Sequence, residues 1–373
     1  MGDTRQWQAT GATGLTLHVE ELRPDGGPAA AADGRPGDDA PLVLVHGIAG
    51  SVADWASVAP DLATTRRVVA YDQRGHGQSD PVADGPAGPP RLAELPLPAG
   101  SPGPAIRSPG PAGPPVLGGG VVPDGYSFDL LLADLVAVLD AIGSEPVHLV
   151  GHSMGGVIAL RYTLDHPDRV RSLVLVDTAA APASATGPVA RRLVGALLDG
   201  AAALLSAHRP TPDSPTSAEP ADPTALAHHA ASPAQRAADG ITRVDPEALR
   251  TLGRELDTYP SLVDRLTEIR APTTVIVGEH DTGLRDAATT MAHAIPGAHL
   301  AVIANADHSP HASQPLAWLT AVDDHLARLP GNRRAQRQTP PRRDVATNPC
   351  YILDHDCRGR ARGGPSGAAP PHQ

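Results

Sequence analysis

Short runs of Val, Leu and Ile recur along the chain, separated by longer stretches in which apolar residues return every three or four positions. Runs at 16–22, 42–45, 68–71, 147–150, 173–176, 274–277 and 300–303 predict strands. Several are apolar at every position, the pattern of strands buried on both faces of a parallel sheet. Between them, residues 127–142 set Leu130, Leu131, Asp134, Leu135, Val138 and Leu139 at helical spacing. Residues 154–164 continue in that pattern until His166-Pro167 stops it. This alternation predicts an α/β fold, a mostly parallel twisted sheet flanked by helices.

Two stretches break the rhythm. Residues 81–125 hold thirteen Pro and ten Gly in forty-five positions, too many for a packed element, and read as a flexible insertion. Residues 208–223 are a shorter Pro-rich interruption of a strandless helical block. The organisation expected is an N-terminal segment (1–13), a first core part (14–179) carrying the 81–125 insertion, a helical lid inserted late in the sheet (180–269), a second core part (270–330), and a disordered Arg-rich tail (331–373).

Charge and composition narrow the chemistry. Gly and Pro number 38 and 41 of 373 residues, and all thirty basic residues are Arg. With no lysine, a Schiff base, a pyridoxal phosphate lysine, a Ser-Lys dyad and a P-loop lysine are excluded. The formal charge is −11; eight Arg against three Asp make the tail about +5 and leave the remainder about −16. An acidic body argues against nucleic acid as the main ligand, although the tail alone has the charge of a polyanion or membrane-surface anchor. Both cysteines, Cys350 and Cys357, fall in the tail, so the core has no disulfide framework. The N-terminus lacks the apolar core of an export signal and no apolar run is long enough to span a membrane, so a cytoplasmic location is expected.

The sharpest motif is the apolar run Val147-His148-Leu149-Val150 followed by Gly151-His152-Ser153-Met154-Gly155-Gly156 and a helical pattern. A Ser on a tight strand-to-helix turn projects its Oγ from the top of a sheet, and the helix start aims N–H groups at developing negative charge. Four further motifs follow the same order as strands do: Leu42-Val43-Leu44-Val45-His46-Gly47-Ile48, Asp72-Gln73-Arg74-Gly75-His76-Gly77-Gln78-Ser79-Asp80, Thr274-Val275-Ile276-Val277-Gly278-Glu279-His280-Asp281 and Ala306-Asp307-His308-Ser309. Together they resemble the α/β-hydrolase family over about residues 14–328, apart from the two Pro-rich stretches.

That resemblance implies a nucleophile at Ser153, an acid at Asp281 and a base at His308, in the chain order this fold uses. It also implies an oxyanion hole formed by the backbone N–H groups of Ile48 and Met154. Asp177, at the end of run 173–176, stays open as the acid, because some family members supply it from there. His311 stays open as the base. Asp307, His46, His76 and His152 read as structural. His228, His229, His293 and His325 have no partner at ligand spacing, so no metal or organic cofactor is expected. The triple Gly118-Gly119-Gly120 lacks a preceding His and does not read as an oxyanion loop.

The function expected is a serine hydrolase cleaving a carboxylic ester, lactone or thioester of a small apolar acyl substrate. Ser153 stands where epoxide hydrolases and haloalkane dehalogenases of the family carry Asp, which argues against both chemistries. C–C bond hydrolysis, cofactor-free perhydrolysis and a silent scaffold remain alternatives on the same residues.

Overall fold

In the computed structural model, the described residues are 3–24, 40–82, 125–143, 146–182, 243–329 and 350–352. The strands are β1 (Thr4–Thr10), β2 (Thr16–Leu22), β3 (Leu42–Val45), β4 (Val68–Tyr71), β5 (Val147–His152), β6 (Val170–Val176), β7 (Thr273–Gly278), β8 (His299–Ile303) and β9 (Cys350–Ile352). The helices are α1 (Ala59–Leu62), α2 (Phe128–Ile142), α3 (Met154–Asp165), α4 (Pro246–Thr258), α5 (Arg285–Ala294), α6 (Pro310–Ser313) and α7 (Pro315–Ala327).

One sheet takes all the strands in the order β1-β2-β4-β3-β5-β6-β7-β8-β9. The pairs from β4 to β8 are parallel, and antiparallel pairs close both ends. Chain direction across the sheet reverses between β3 and β5: β3 leads outward to β4, and the chain then returns to the other side of β3. The loops leaving β3 and β5 therefore diverge, and a crevice opens above their carboxyl ends.

Alternate residues of the buried strands feed two cores, one on each face. Val43, Val45, Leu149, Leu173, Leu175, Val275 and Val277 pack towards α2, α3 and α5. Leu42, Leu44, Val150, Val174, Val176 and Ile276 pack with Trp55, Trp318 and Val322 on the other side. This two-sided burial explains why β3 and β5 are apolar at consecutive positions. Local signals set the ends of α2: the Ser127 hydroxyl accepts the Leu130 N–H, and Gly143 closes the helix at φ 66°.

The turn after β4 is fixed by a buried ion pair to α2. Arg74 and Asp134 are both fully buried, with Nε–Oδ2 at 2.6 Å and Nη2–Oδ1 at 2.8 Å. Two further guanidinium donors reach the carbonyls of Gly125 and Ala12, so the buried pair is supported by hydrogen bonds beyond its own. Asp72 begins that turn and accepts the N–H groups of Val52 and Gln78 at 2.7 and 2.8 Å. Burial pushes its carboxyl up to about 6 despite those donors.

Every strand expected from hydropathy is present, with β5, β6, β7 and β8 one to three residues longer. The N-terminal segment contributes β1, an edge strand whose sequence is mostly polar and which buries only Ala9. Cys350–Ile352 pair antiparallel with β8, so the tail gives the sheet an edge strand where its sequence predicts none. Main-chain pairing at an edge asks for no apolar periodicity. The rest of the tail, most of the 81–125 insertion, and residues 183–242 of the expected lid lie outside the described residues. Among the described residues no helix is long and apolar enough to cross a membrane.

Candidate active site

Ser153 stands between β5 and α3 at φ 52° and ψ −120°, a backbone conformation rarely open to a non-glycine residue. Close packing imposes it. A Cβ on Gly151 would lie 2.5 Å from the Gly155 carbonyl oxygen, and one on Gly155 would lie 2.4 Å from the carbonyl oxygens of Val45 and His46. The elbow is thus clamped against the end of β3 at positions where only glycine fits. The Ser153 N–H donates to the Val176 carbonyl at 2.9 Å, and the Thr178 hydroxyl donates to the Ser153 carbonyl at 2.7 Å, tying the turn to β6 as well.

The loops after β7 and β8 bring two distant residues to this point. His308 Nε2 lies 3.0 Å from Ser153 Oγ, and His308 Nδ1 lies 2.6 Å from Asp281 Oδ2. Half of the His308 side chain is exposed and Asp281 is largely covered (49% and 12% accessible), so the imidazole faces the crevice with the carboxyl behind it. The loop closes tightly: a Cβ on Gly278 would lie 2.1 Å from the Asp307 carbonyl oxygen. Burial alone would raise Asp281, but the hydrogen bond from His308 and the charge of that imidazole outweigh it. The Asp281 carboxyl is held below its usual range.

Met154 and Ile48 lie on the two elements that meet at Ser153. Met154 is the first residue of α3 and fully buried. Ile48 follows Gly47, on which a Cβ would lie 3.1 Å from Ser153 Cβ. The β3 turn therefore lies directly against the elbow.

The alternatives separate cleanly. Asp177 is buried beneath Asp281, and its Oδ1 accepts the Gly278 N–H at 2.9 Å. Burial foremost, and then the charges of Asp281 and Asp307, push its carboxyl up to about 9. His308 Nδ1 takes Asp281 and not Asp177 as its hydrogen-bond partner. Asp307 accepts from the Ser309 N–H and the Ser313 hydroxyl, both at 3.0 Å, and so shapes the start of α6. His311 is buried with its ring 4.5 Å from Trp55 and 4.8 Å from His152.

The remaining histidines near the elbow hold the scaffold. His46 Nε2 accepts the Gln73 N–H at 3.0 Å, so its proton is on Nδ1, which donates to the Gly47 carbonyl at 2.7 Å. Burial lowers His46 to about 3 and His76 to about 4, keeping both neutral. His152 sits beside the Ser but turns away from it. Its Nε2 donates to the His308 carbonyl at 2.8 Å and pins the His308 loop to the elbow. That contact was not legible in the sequence, since it joins residues 156 positions apart.

Among the described residues, one set of three groups has the convergence a metal would need: Asp177, Asp281 and His308, with one atom of each within 4.8 Å of the others. The 2.6 Å between His308 and Asp281 is a hydrogen-bond distance. Two ligands of a tetrahedral ion at roughly 2.0–2.1 Å would stand about 3.3 Å apart. This set suits proton transfer and does not suit a metal.

Comparison with known proteins agrees with the architecture. The chain is 33% identical over 142 residues to a 2-hydroxymuconate semialdehyde hydrolase of Pseudomonas sp. strain CF600, covering 37% of this chain and 36% of the relative. The chain spans about two fifths or less of the length of such curated relatives. Among solved structures, an esterase from Thermogutta terrifontis superposes with a TM-score of 0.58 at 21% identity, covering 87% of this chain and 99% of that one. The enol-lactonase from Burkholderia xenovorans LB400 gives 0.56 at 22%, covering 86% and 100%. At those identities the likeness is one of fold. A sequence model for the alpha/beta hydrolase fold matches residues 40–315, well over half of the chain, and the chain belongs to the alpha/beta hydrolase family.

Proposed function

We propose that this protein is a serine hydrolase that cleaves a carboxylic ester, lactone or thioester of a small apolar substrate through an acyl-enzyme. The observation that carries the reading is the unbroken chain Asp281–His308–Ser153, at 2.6 and 3.0 Å, ending on a Ser held at φ 52° above the sheet. His308 Nε2 takes the Ser153 proton as Oγ attacks the carbonyl carbon, and returns it to the leaving group when the tetrahedral intermediate collapses. Asp281 keeps the other imidazole proton on Nδ1 and stabilises the imidazolium. The N–H groups of Met154 and Ile48 are the oxyanion donors; losing one such donor costs on the order of 10²- to 10³-fold in rate. Water activated by His308 then releases the acyl group. Every step uses groups that this chain supplies. Substrate selection is assigned to the 180–269 segment, which starts just past the carboxyl end of β6, on the side of the crevice.

The likeness to the 2-hydroxymuconate semialdehyde hydrolase supports a second reading, hydrolysis of a C–C bond on the same three residues. One experiment separates them: fluorophosphonate labelling with mapping of the modified peptide, beside turnover of a p-nitrophenyl ester series and a vinylogous 1,5-diketone. Labelling at Ser153 with ester turnover is the expected result. Labelling with diketone turnover alone selects the second reading, and absence of labelling of folded protein overturns both.

A further inference from the structure

Asp177 presents an unusual arrangement. It is buried to 1% accessibility at the end of β6, in a left-handed conformation (φ 41°) that few aspartates adopt. One oxygen is satisfied by the Gly278 N–H. The other, Oδ2, meets no N–H or hydroxyl donor. Opposite lies the carboxyl of Asp281, with one oxygen within 4.8 Å of both Asp177 and His308. Two carboxylates this close, one buried and the other largely covered, offer only acceptors to each other, so they are reconciled when one of them holds a proton between them. Asp281 already receives the Nδ1–H of His308 and is held low, so the proton belongs to Asp177.

We infer that Asp177 is a positioning residue of this site, a neutral carboxylic acid whose Oδ2–H donates to Asp281 and fixes the carboxylate that orients His308. The inference rests on the proposed roles of Ser153, His308 and Asp281, and adds a fourth member that touches neither substrate nor nucleophile. The chain reads Gly278 N–H to Asp177, Asp177 O–H to Asp281, Asp281 to His308 Nδ1–H, and His308 Nε2 to Ser153. The device holds Asp281 from behind without adding a second negative charge beside the imidazole. The charged and titratable groups facing Asp177 are Asp281, Asp307 and His308. The first two disfavour its ionisation, as does its burial.

The test compares the wild type with Asp177→Asn and Asp177→Ala. Asn keeps an acceptor for Gly278 and offers an amide N–H to Asp281, so kcat at pH 7.5 should stay within about threefold. Ala removes both contacts, and kcat should fall about 10- to 100-fold with KM little changed. The proton on Asp177 is lost near pH 9, so the wild-type pH–rate profile should carry an alkaline step that Asn lacks. A readout independent of activity is unfolding against pH. Between pH 7 and 9 the wild type's folding constant should fall tenfold per pH unit relative to Asp177→Asn, since the folded state holds one proton the unfolded chain has released. Equal pH dependence of stability in the two proteins overturns the inference, as does a loss in Asp177→Asn as deep as that of Asp281→Asn. A wild type that shows the stability difference but neither labels at Ser153 nor turns over ester overturns the functional reading and leaves the protonated pair standing.

Discussion

Gly155→Ala tests how the elbow is built. The added methyl would lie 2.4 Å from the carbonyl oxygens of both Val45 and His46. Ordinary contact begins near 3.4 Å, so α3 and the end of β3 must separate by about 1 Å. Neither side yields easily, because the obstacles are main-chain atoms of a strand hydrogen-bonded on both edges. Overpacking of this kind costs roughly 1–3 kcal/mol. For a domain of this size that is a loss of about 2–12 °C in Tm. The displacement falls on the turn that carries Ser153 and the Met154 N–H. A 1 Å misplacement at a reacting centre costs on the order of 10²-fold, so kcat should drop about 10²- to 10³-fold while most of the protein stays folded. The assay is ester turnover and fluorophosphonate labelling rate, beside a thermal melt. Gly143→Ala is the control. It forces alanine to φ 66° with nothing within 4 Å, so it should cost about 1–2 kcal/mol in stability and leave kcat unchanged. A Gly155→Ala enzyme with kcat within threefold of wild type would refute the claim that close approach to β3 sets the elbow.

Three other expectations follow from the same geometry. Ser153→Ala and His308→Ala should each lower kcat/KM by several orders of magnitude, and the double variant should be no worse than the deeper single, because the two act as one unit; additive losses would mean separate roles. His325 is buried between Thr274 and Ser172, at 2.9 and 2.8 Å, and burial lowers it to about 3. Its contribution to stability is complete above the unfolded value of about 6.5 and is lost as pH falls, at up to ~1.4 kcal/mol per pH unit; urea unfolding at pH 7.5, 6 and 5 should show this slope reduced in His325→Gln. The Val82 N–H donates to the Tyr126 hydroxyl at 2.9 Å, so residues 83–124 leave and re-enter the fold close together. Replacing them with a Gly/Ser linker of about eight residues should keep Tm within a few degrees, and a collapse of the melt would show that they carry core contacts.

Much of this was legible because the relevant signals are local. β3 is a continuous apolar run, β5 and β7 are mostly apolar, and Ser127 and Gly143 mark the ends of α2. The G-x-S-x-G turn needs only its own residues and the elements on either side. β1 was not legible, since an edge strand buries one face and its polar residues carry little periodicity. The Arg74–Asp134 pair was equally hidden: Asp134 looks like a polar lapse in the apolar face of α2 until the turn after β4 arrives against it.

The pair Asp281 and Asp177 shows the division most clearly. The sequence placed Asp281 and Asp177 at the ends of two strands that both lead to the site, and chain order alone could not choose between them. The sequence by itself determined the inner strands, the order of the motifs and the turn that carries Ser153, since these depend on neighbours within a few positions; it left His311 open beside His308. The tertiary structure decided which carboxylate His308 meets, because that depends on how two loops cross over β6 and β7. It also decided that His152 holds the loop of His308 against the elbow, and that Asp177 is shut away from water close to Asp281.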